Sequence, residues 1–223
     1  MPQKVLVAWS GGKDSALALY EILHSHDYEV ASLLTTLTAD YDRISMHGVR
    51  RTLLGQQAQA LRLPLHQVFI SKEATNEEYE SQMEAALDHF RPLGVSTVVF
   101  GDIHLEDVRK YREDNLATVE MTALFPLWGR DSAEVAFTFV ELGFQAVVTC
   151  VDSKVLPKDF CGRVIDSHFL AELPHGVDPC GENGEFHSFV FDGPIFTRSV
   201  PFAVGETVHR DTLYFCDLVP RET

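Results

Sequence analysis

Apolar positions in the first half of the chain fall into short continuous runs separated by stretches with helical periodicity. Residues 5–9, Val-Leu-Val-Ala-Trp, form an apolar run of buried-strand length. Residues 15–23 then place Ala16, Leu17, Tyr20 and Leu23 on one helical face. The alternation continues with strands at 30–37 and 65–70 around a helix at 49–61, which Pro64 bars from extending. Thr75 stands as an N-cap for a helix running to about Phe90, with Glu77 and Glu78 in a first turn whose dipole favours negative charge. A strand at 97–103, a helix at 105–117 and a fifth strand at 122–128 complete the series.

Alternation of this kind predicts an α/β fold, a parallel sheet with helices on both faces. Ligands of such sheets bind beyond the carboxyl ends of the strands, where the strand order reverses. After residue 128 the pattern loosens. A helix at 131–142 and a strand at 145–152 precede a tail punctuated by Pro157, Pro174, Pro179, Pro194 and Pro201, with short strands at 187–191 and 213–216. The expected organisation is a domain at 1–128 and a smaller mixed C-terminal domain at 129–223.

Charge narrows the function classes. The 223 residues carry 18 Lys and Arg against 33 Asp and Glu, a net charge of -15. Broad binding to nucleic acid or an anionic membrane runs on clustered cations, so neither is expected. The apolar run at 5–9 is too short for a signal-peptide core, and no stretch approaches the roughly 18 apolar residues that span a bilayer. Cys150, Cys161, Cys180 and Cys216 include no C-x-x-C pair, which favours free thiols over a zinc site. A cytoplasmic location is the expectation; self-association is left open.

Chemistry concentrates directly after the strands. Ser10-Gly11-Gly12-Lys13-Asp14-Ser15 lies between the first strand and the first helix. Its glycines allow a tight turn with backbone N–H groups facing a ligand. The helix that follows adds unpaired N–H groups and the positive end of its dipole, so the segment suits an anion. Ser10 and Ser15 add hydroxyls and Lys13 a compensating charge. Asp14 reads as a Mg²⁺ ligand or a helix cap. The spacing matches neither G-x-x-x-x-G-K-[ST] nor G-x-G-x-x-G. Three further clusters are candidates: Met46 and His47 beside Arg50 and Arg51, Gly101-Asp102 followed by Arg109 and Arg112, and the glycine-rich loop 176–187 with Cys180, Glu182, Glu185 and His187.

Residues 10–15 resemble the PP-loop, S-G-G-x-D-S, of ATP pyrophosphatases and adenylating enzymes. Taken with Gly101-Asp102-Ile103, Pro126-Leu127-Trp128-Gly129-Arg130-Asp131 and the loop from Cys180 to His187, the chain resembles the diphthine–ammonia ligase (diphthamide synthase) family along nearly its whole length. That resemblance implies a HUP-type, Rossmann-like ATP-binding domain, a C-terminal substrate domain, and AMP-forming amidation of a carboxylate by ammonia. It implies ATP and Mg²⁺ as cofactors, with phosphates at residues 10–15 and adenosine near Met46, His47, Gly101 and Asp102. Lys13, Asp14, Glu182, Glu185 and His187 are the residues expected to act on the reactants. The family loop reads G-E-G-G-E-[FY]-E, whereas Asn183 and His187 stand here at its third and last positions. The acceptor is therefore diphthine or another carboxylate, on a protein side chain or a small metabolite. A PP-loop enzyme acting on another metabolite or on tRNA, and a non-catalytic ATP-binding regulator, are the alternatives.

Overall fold

Val5, Leu6 and Val7 are fully buried in the strand β1 (Gln3–Ala8), and their alternation builds both faces of the first sheet. The computed structural model that shows this describes residues 2–44 and 48–221. Val5 and Val7 pack in one cluster with Leu17 of α1 (Lys13–His24) and Leu53 and Leu54 of α2 (Arg51–Leu61). Leu6 faces the other way, toward Leu87 and Phe90 of α3 (Asn76–Phe90) and Leu116 of α4 (Glu106–Thr118). Helices therefore cover both faces. Truncating a side chain as enclosed as Leu6 to alanine costs about 2–5 kcal/mol.

β1 pairs in parallel with β2 (Tyr28–Thr38) on one side and β5 (Val95–Val99) on the other. β4 (Leu65–Ile70) extends the sheet beyond β2, and β6 (Thr122–Leu124) beyond β5, both in parallel. A two-residue strand β3 (Arg43–Ile44) adds antiparallel pairing at Leu37 and Thr38, so the sheet is mixed. The chain builds outward from β1 to β2 and β4, then returns to lay β5 against the free side of β1. That reversal puts the topological switch point between β1 and β5, and the loop 10–15 leaves β1 there.

The second sheet is antiparallel throughout, in the order β8 (Phe186–Asp192), β7 (Gln145–Asp152), β10 (Leu213–Pro220) and β9 (Phe202–Arg210). Two further helices accompany it, α5 (Ser132–Glu141), capped by Asp131, and α6 (Ser167–Glu172), capped by Asp166. Val147, Phe169 and Phe189 from this half belong to the same buried cluster as Val5 and Leu17. β8 returns to the first sheet, where the Val190 N–H donates to the Gly11 carbonyl at 2.8 Å.

Thr75 caps α3 as expected, and Glu78 completes a capping box by accepting the Thr75 N–H at 2.8 Å. The strand expected at 122–128 is only three residues long. Its continuation turns at Phe125, whose carbonyl takes the Trp128 N–H, and Pro126 has no N–H for a ladder. The strand expected at 97–103 ends at Val99. The tail holds two elements with no counterpart in the hydrophobic pattern, α6 and β9. Among the described residues no helix is long and apolar enough to cross a membrane.

Candidate active site

The loop after β1 is shaped by its own hydroxyls and glycines. The Gly12 N–H donates to Ser10 Oγ at 3.2 Å, the Ser10 and Ser15 hydroxyls lie 3.2 Å apart, and Ser15 Oγ donates to the Gly12 carbonyl at 2.9 Å. With the Ser15 proton committed to Gly12, Ser10 is the donor of the pair. Gly12 occupies the N-cap of α1 and supplies no capping side chain, which leaves the first turn open toward the cleft. The Lys13 N–H is the exception, donating to Ser188 Oγ of β8 at 3.1 Å. Gly101 is tied to the same turn. A Cβ there would lie 2.7 Å from the backbone carbon of Asp14, so α1 sits directly against the end of β5.

A cleft of about 1070 Å³ opens above this switch point. That is slightly above the roughly 300–1,000 Å³ typical of ligand sites, enough for a nucleotide and a second reactant. Ser10, Gly12, Lys13, Asp14 and Ser15 line it, as do Gly101 and Asp102 from the second candidate cluster and Glu182 and His187 from the last. The loop ahead of β8 thus faces the loop after β1 across one cavity. Two expected residues stand outside the lining: Gly11, whose carbonyl turns into the core, and Glu185. Met46 and His47 lie outside the described residues.

Lys13 sits at the junction of the two loops. Only 4% exposed, it places Nζ 2.8 Å from both carboxylate oxygens of Asp14 and donates to the backbone carbonyl of Cys180. Burial pulls its pKa down, but Asp14, Cys180 and Glu182 outweigh that and raise it, so the ammonium stays charged. Burial pushes the Asp14 carboxyl up, against the pull of Lys13, and the charge of Asp102 adds to the rise. Glu182 is also raised, chiefly by burial, although Oε1 accepts the Ile103 N–H at 2.8 Å and the His104 N–H at 3.4 Å. Asp102 takes a hydrogen bond from Arg112 Nη2 at 3.1 Å and an ion-pair contact from Arg112 Nε at 2.8 Å. The Arg112 guanidinium lies over the Phe100 ring at 4.4 Å.

Glu185 holds the loop itself. Its Oε1 accepts the Asp178 N–H at 3.1 Å and the Asn183 side-chain amide at 3.0 Å, and Oε2 accepts the Asn183 N–H at 3.0 Å. Asp178 closes the same turn by accepting the Cys180 N–H at 2.8 Å. The Cys180 thiol is buried, donates to the Ser132 carbonyl at 3.2 Å, and is pushed up to about 12 by that burial, which makes it an inert packing group. Arg50 and Arg43 both bond Asp217 of β10, at 2.6 and 3.0 Å, so β3 and the start of α2 are tied to the second sheet. Arg109 lies over the Trp128 ring at 4.6 Å and pairs with Glu113, and Arg130 of the 126–131 segment reaches Glu21 of α1 at 3.0 Å.

Gln57 is a supporting residue that the sequence reading missed. Fully buried in α2, it accepts the Trp9 indole N–H at 3.1 Å and donates to the carbonyls of Gly11 at 3.0 Å and Val190 at 2.6 Å. Its trace in the sequence is a carboxamide on the apolar face shared by Leu53, Leu54, Ala58 and Leu61. Among the described residues no group of three or more His, Cys, Asp or Glu is arranged to hold a metal ion.

Comparison with known proteins matches most of the chain to one family. The diphthamide synthase N-terminal domain model matches residues 3–119, and the C-terminal domain model matches residues 131–219. The chain is 28% identical over 229 residues to the diphthine–ammonia ligase of Danio rerio, covering 92% of this chain and 89% of that protein. The Homo sapiens diphthine–ammonia ligase is 24% identical over 230 residues, 92% of this chain and 85% of its own length. The Schizosaccharomyces pombe protein of that name is 24% identical over 235 residues, and the chain spans 38% of it.

Proposed function

This chain belongs to the diphthamide synthase family, and on that premise we propose that it is an AMP-forming ligase converting a substrate carboxylate to an amide with ammonia. The observation that carries this reading is the shared cleft. Lys13 of the phosphate loop and Cys180 of the loop before β8 are in direct contact, which supports reading the activating and accepting halves as one site.

ATP is the cosubstrate, its phosphates on the open first turn of α1 and its adenosine toward Gly101 and Asp102. Backbone N–H groups and Lys13 stabilise negative charge on the phosphates. Asp14, Asp102 and Glu182 are among the acids that border the same cleft. A polyphosphate approaching them needs a cation, and Mg²⁺ is usually held by one or two carboxylates together with phosphate oxygens. Asp14 is the residue that would hold it, and its chemistry there would be charge neutralisation.

An oxygen of the acceptor carboxylate attacks the α-phosphorus of ATP, forming an acyl-adenylate and expelling pyrophosphate. Ammonia then adds to the acyl carbon, and AMP leaves with that oxygen. Glu182 faces the junction of the two loops and orients the acceptor or ammonium; His187, an imidazole lining the same cleft, takes the proton that ammonia loses. Glu185 serves by holding the loop in shape. In this organisation residues 1–128 supply the nucleotide half, and residues 129–223 supply the acceptor half. The acceptor is diphthine or a related carboxylate, and the reaction needs neither nucleic acid nor membrane. The test is product identity by ³¹P NMR, using ATP, ammonium and a diphthine-bearing protein. Acceptor-dependent AMP and pyrophosphate support the reading; ADP and phosphate reject it.

A further inference from the structure

We infer that Gln57 is a positioning residue of the phosphate loop, fixing the direction of the Gly11–Gly12 peptide so that its N–H faces the cleft. The inference rests on the proposed ATP site and adds a residue that does not line it. In a trans peptide the carbonyl and the N–H point in opposite directions. The Gly11 carbonyl is drawn into the core by two donors, Gln57 Nε2 at 3.0 Å and the Val190 N–H at 2.8 Å. The Gly12 N–H must then point outward, toward Ser10 Oγ and the cavity that both residues line. Rotating this peptide by half a turn would aim a carbonyl at the bound phosphate and bury an N–H against two donors.

Gln57 cannot itself rotate to relieve such a flip. Its Oε1 is held by the Trp9 indole, and its second Nε2 proton by the Val190 carbonyl at 2.6 Å. The carboxamide is therefore oriented by one acceptor contact and two donor contacts, from the end of β1, the loop and β8. The loop is fitted to it in return. Gly11 has φ +74°, and a Cβ there would stand 2.6 Å from Gln57 Oε1, so glycine is required by both the turn and the carboxamide. Because Val190 belongs to β8, the same carboxamide couples the loop to the strand bearing His187 and Ser188.

The test compares two ligands, inorganic pyrophosphate with Mg²⁺ and adenosine, by calorimetry on the wild type, Gln57→Leu and Gln57→Glu. Gln57→Leu is expected to weaken pyrophosphate by roughly tenfold or more, the loss of one well-placed N–H bond to a charged group, and to leave adenosine within about twofold. Should Gln57→Leu fail to melt cooperatively, Gln57→Glu carries the test. Its protonated carboxylic acid can still donate once, so the pyrophosphate deficit relative to wild type should grow between pH 5 and pH 8. Unchanged pyrophosphate affinity in a folded variant, a pH-independent deficit in Gln57→Glu, or equal loss of both ligands overturns the positioning role. Wild-type protein that binds adenosine or pyrophosphate at no measurable affinity overturns the ATP reading, and the role of Gln57 falls with it.

Discussion

Glu182, in the loop before β8, accepts the backbone N–H of Ile103, four residues beyond the end of β5, at 2.8 Å, while the Ile103 carbonyl accepts the Gly129 N–H at 2.8 Å. One residue is thus held through both its N–H and its carbonyl by the second half of the chain. Glu182→Ala leaves the Ile103 N–H without an acceptor and is expected to lower stability by about 1–3 kcal/mol. Glu182→Gln keeps a carbonyl acceptor and should stay within about 1 kcal/mol of wild type, yet lose turnover with acceptor and ammonium. Urea titration read beside AMP release separates the two effects.

Lys13 is the cation common to both loops. Lys13→Met keeps much of the side-chain volume and removes the charge, so AMP formation should fall by about a hundredfold or more, the scale of losing a fixed electrostatic contact to the reacting group. Single-turnover kinetics check this. A fall of less than threefold would remove Lys13 from the reaction.

Glu185→Gln tests whether the loop's internal carboxylate is structural. All three hydrogen bonds on that carboxylate are donated to it, so an amide N–H₂ on either oxygen position faces a donor. The expected cost is about 1–3 kcal/mol of stability, together with reduced turnover. Thermal melting and AMP release on one preparation read both.

Acid sensitivity should centre on Asp217. The hydrogen bond from Arg50, helped by Arg43, holds its carboxyl below the ordinary 3.8. A depressed native pKa contributes stability that is complete above the unfolded value and is lost as pH falls through the folded one. Asp217→Asn should therefore cost about 1–2 kcal/mol near pH 7, a modest figure because Arg50 is 41% exposed, and converge with wild type at pH values well below 3.8. Urea midpoints at both extremes measure this.

The thiols should be unreactive. Burial pushes Cys150, Cys161 and Cys180 up to about 12 and also raises Cys216. Folded protein should resist iodoacetamide at pH 8, whereas urea-unfolded protein takes four labels, countable by intact-mass spectrometry.

The sheet-forming half was legible because its signals are local. A buried strand such as β1 needs only the short apolar run at 5–9, and the Thr75 cap only its own first turn. The tail was harder for a physical reason. β9 is an edge strand whose Val204 and Val208 are 55% and 39% exposed, so those two positions report no core. α6 is six residues long, too short for a helical period. The site divides in the same way. Glycines, hydroxyls and Lys13 mark the phosphate loop within six consecutive residues, whereas Gln57 and Ser188 meet it only through the fold. Glu182 and Glu185 carry the same side chain three positions apart. One lines the cleft and one braces the loop, a difference set by which N–H groups the folded turn presents.

The fate of one oxygen atom tests the proposed chemistry most directly. With both acceptor carboxylate oxygens labelled as ¹⁸O, and ATP and ammonium unlabelled, activation through an acyl-adenylate predicts one ¹⁸O in the phosphoryl group of AMP and none in pyrophosphate. The amide retains the other. Mass spectrometry of AMP reads the transfer. Label appearing in inorganic phosphate, with ADP as the nucleotide product, or AMP carrying no label while amide accumulates, would contradict attack of the carboxylate on the α-phosphorus.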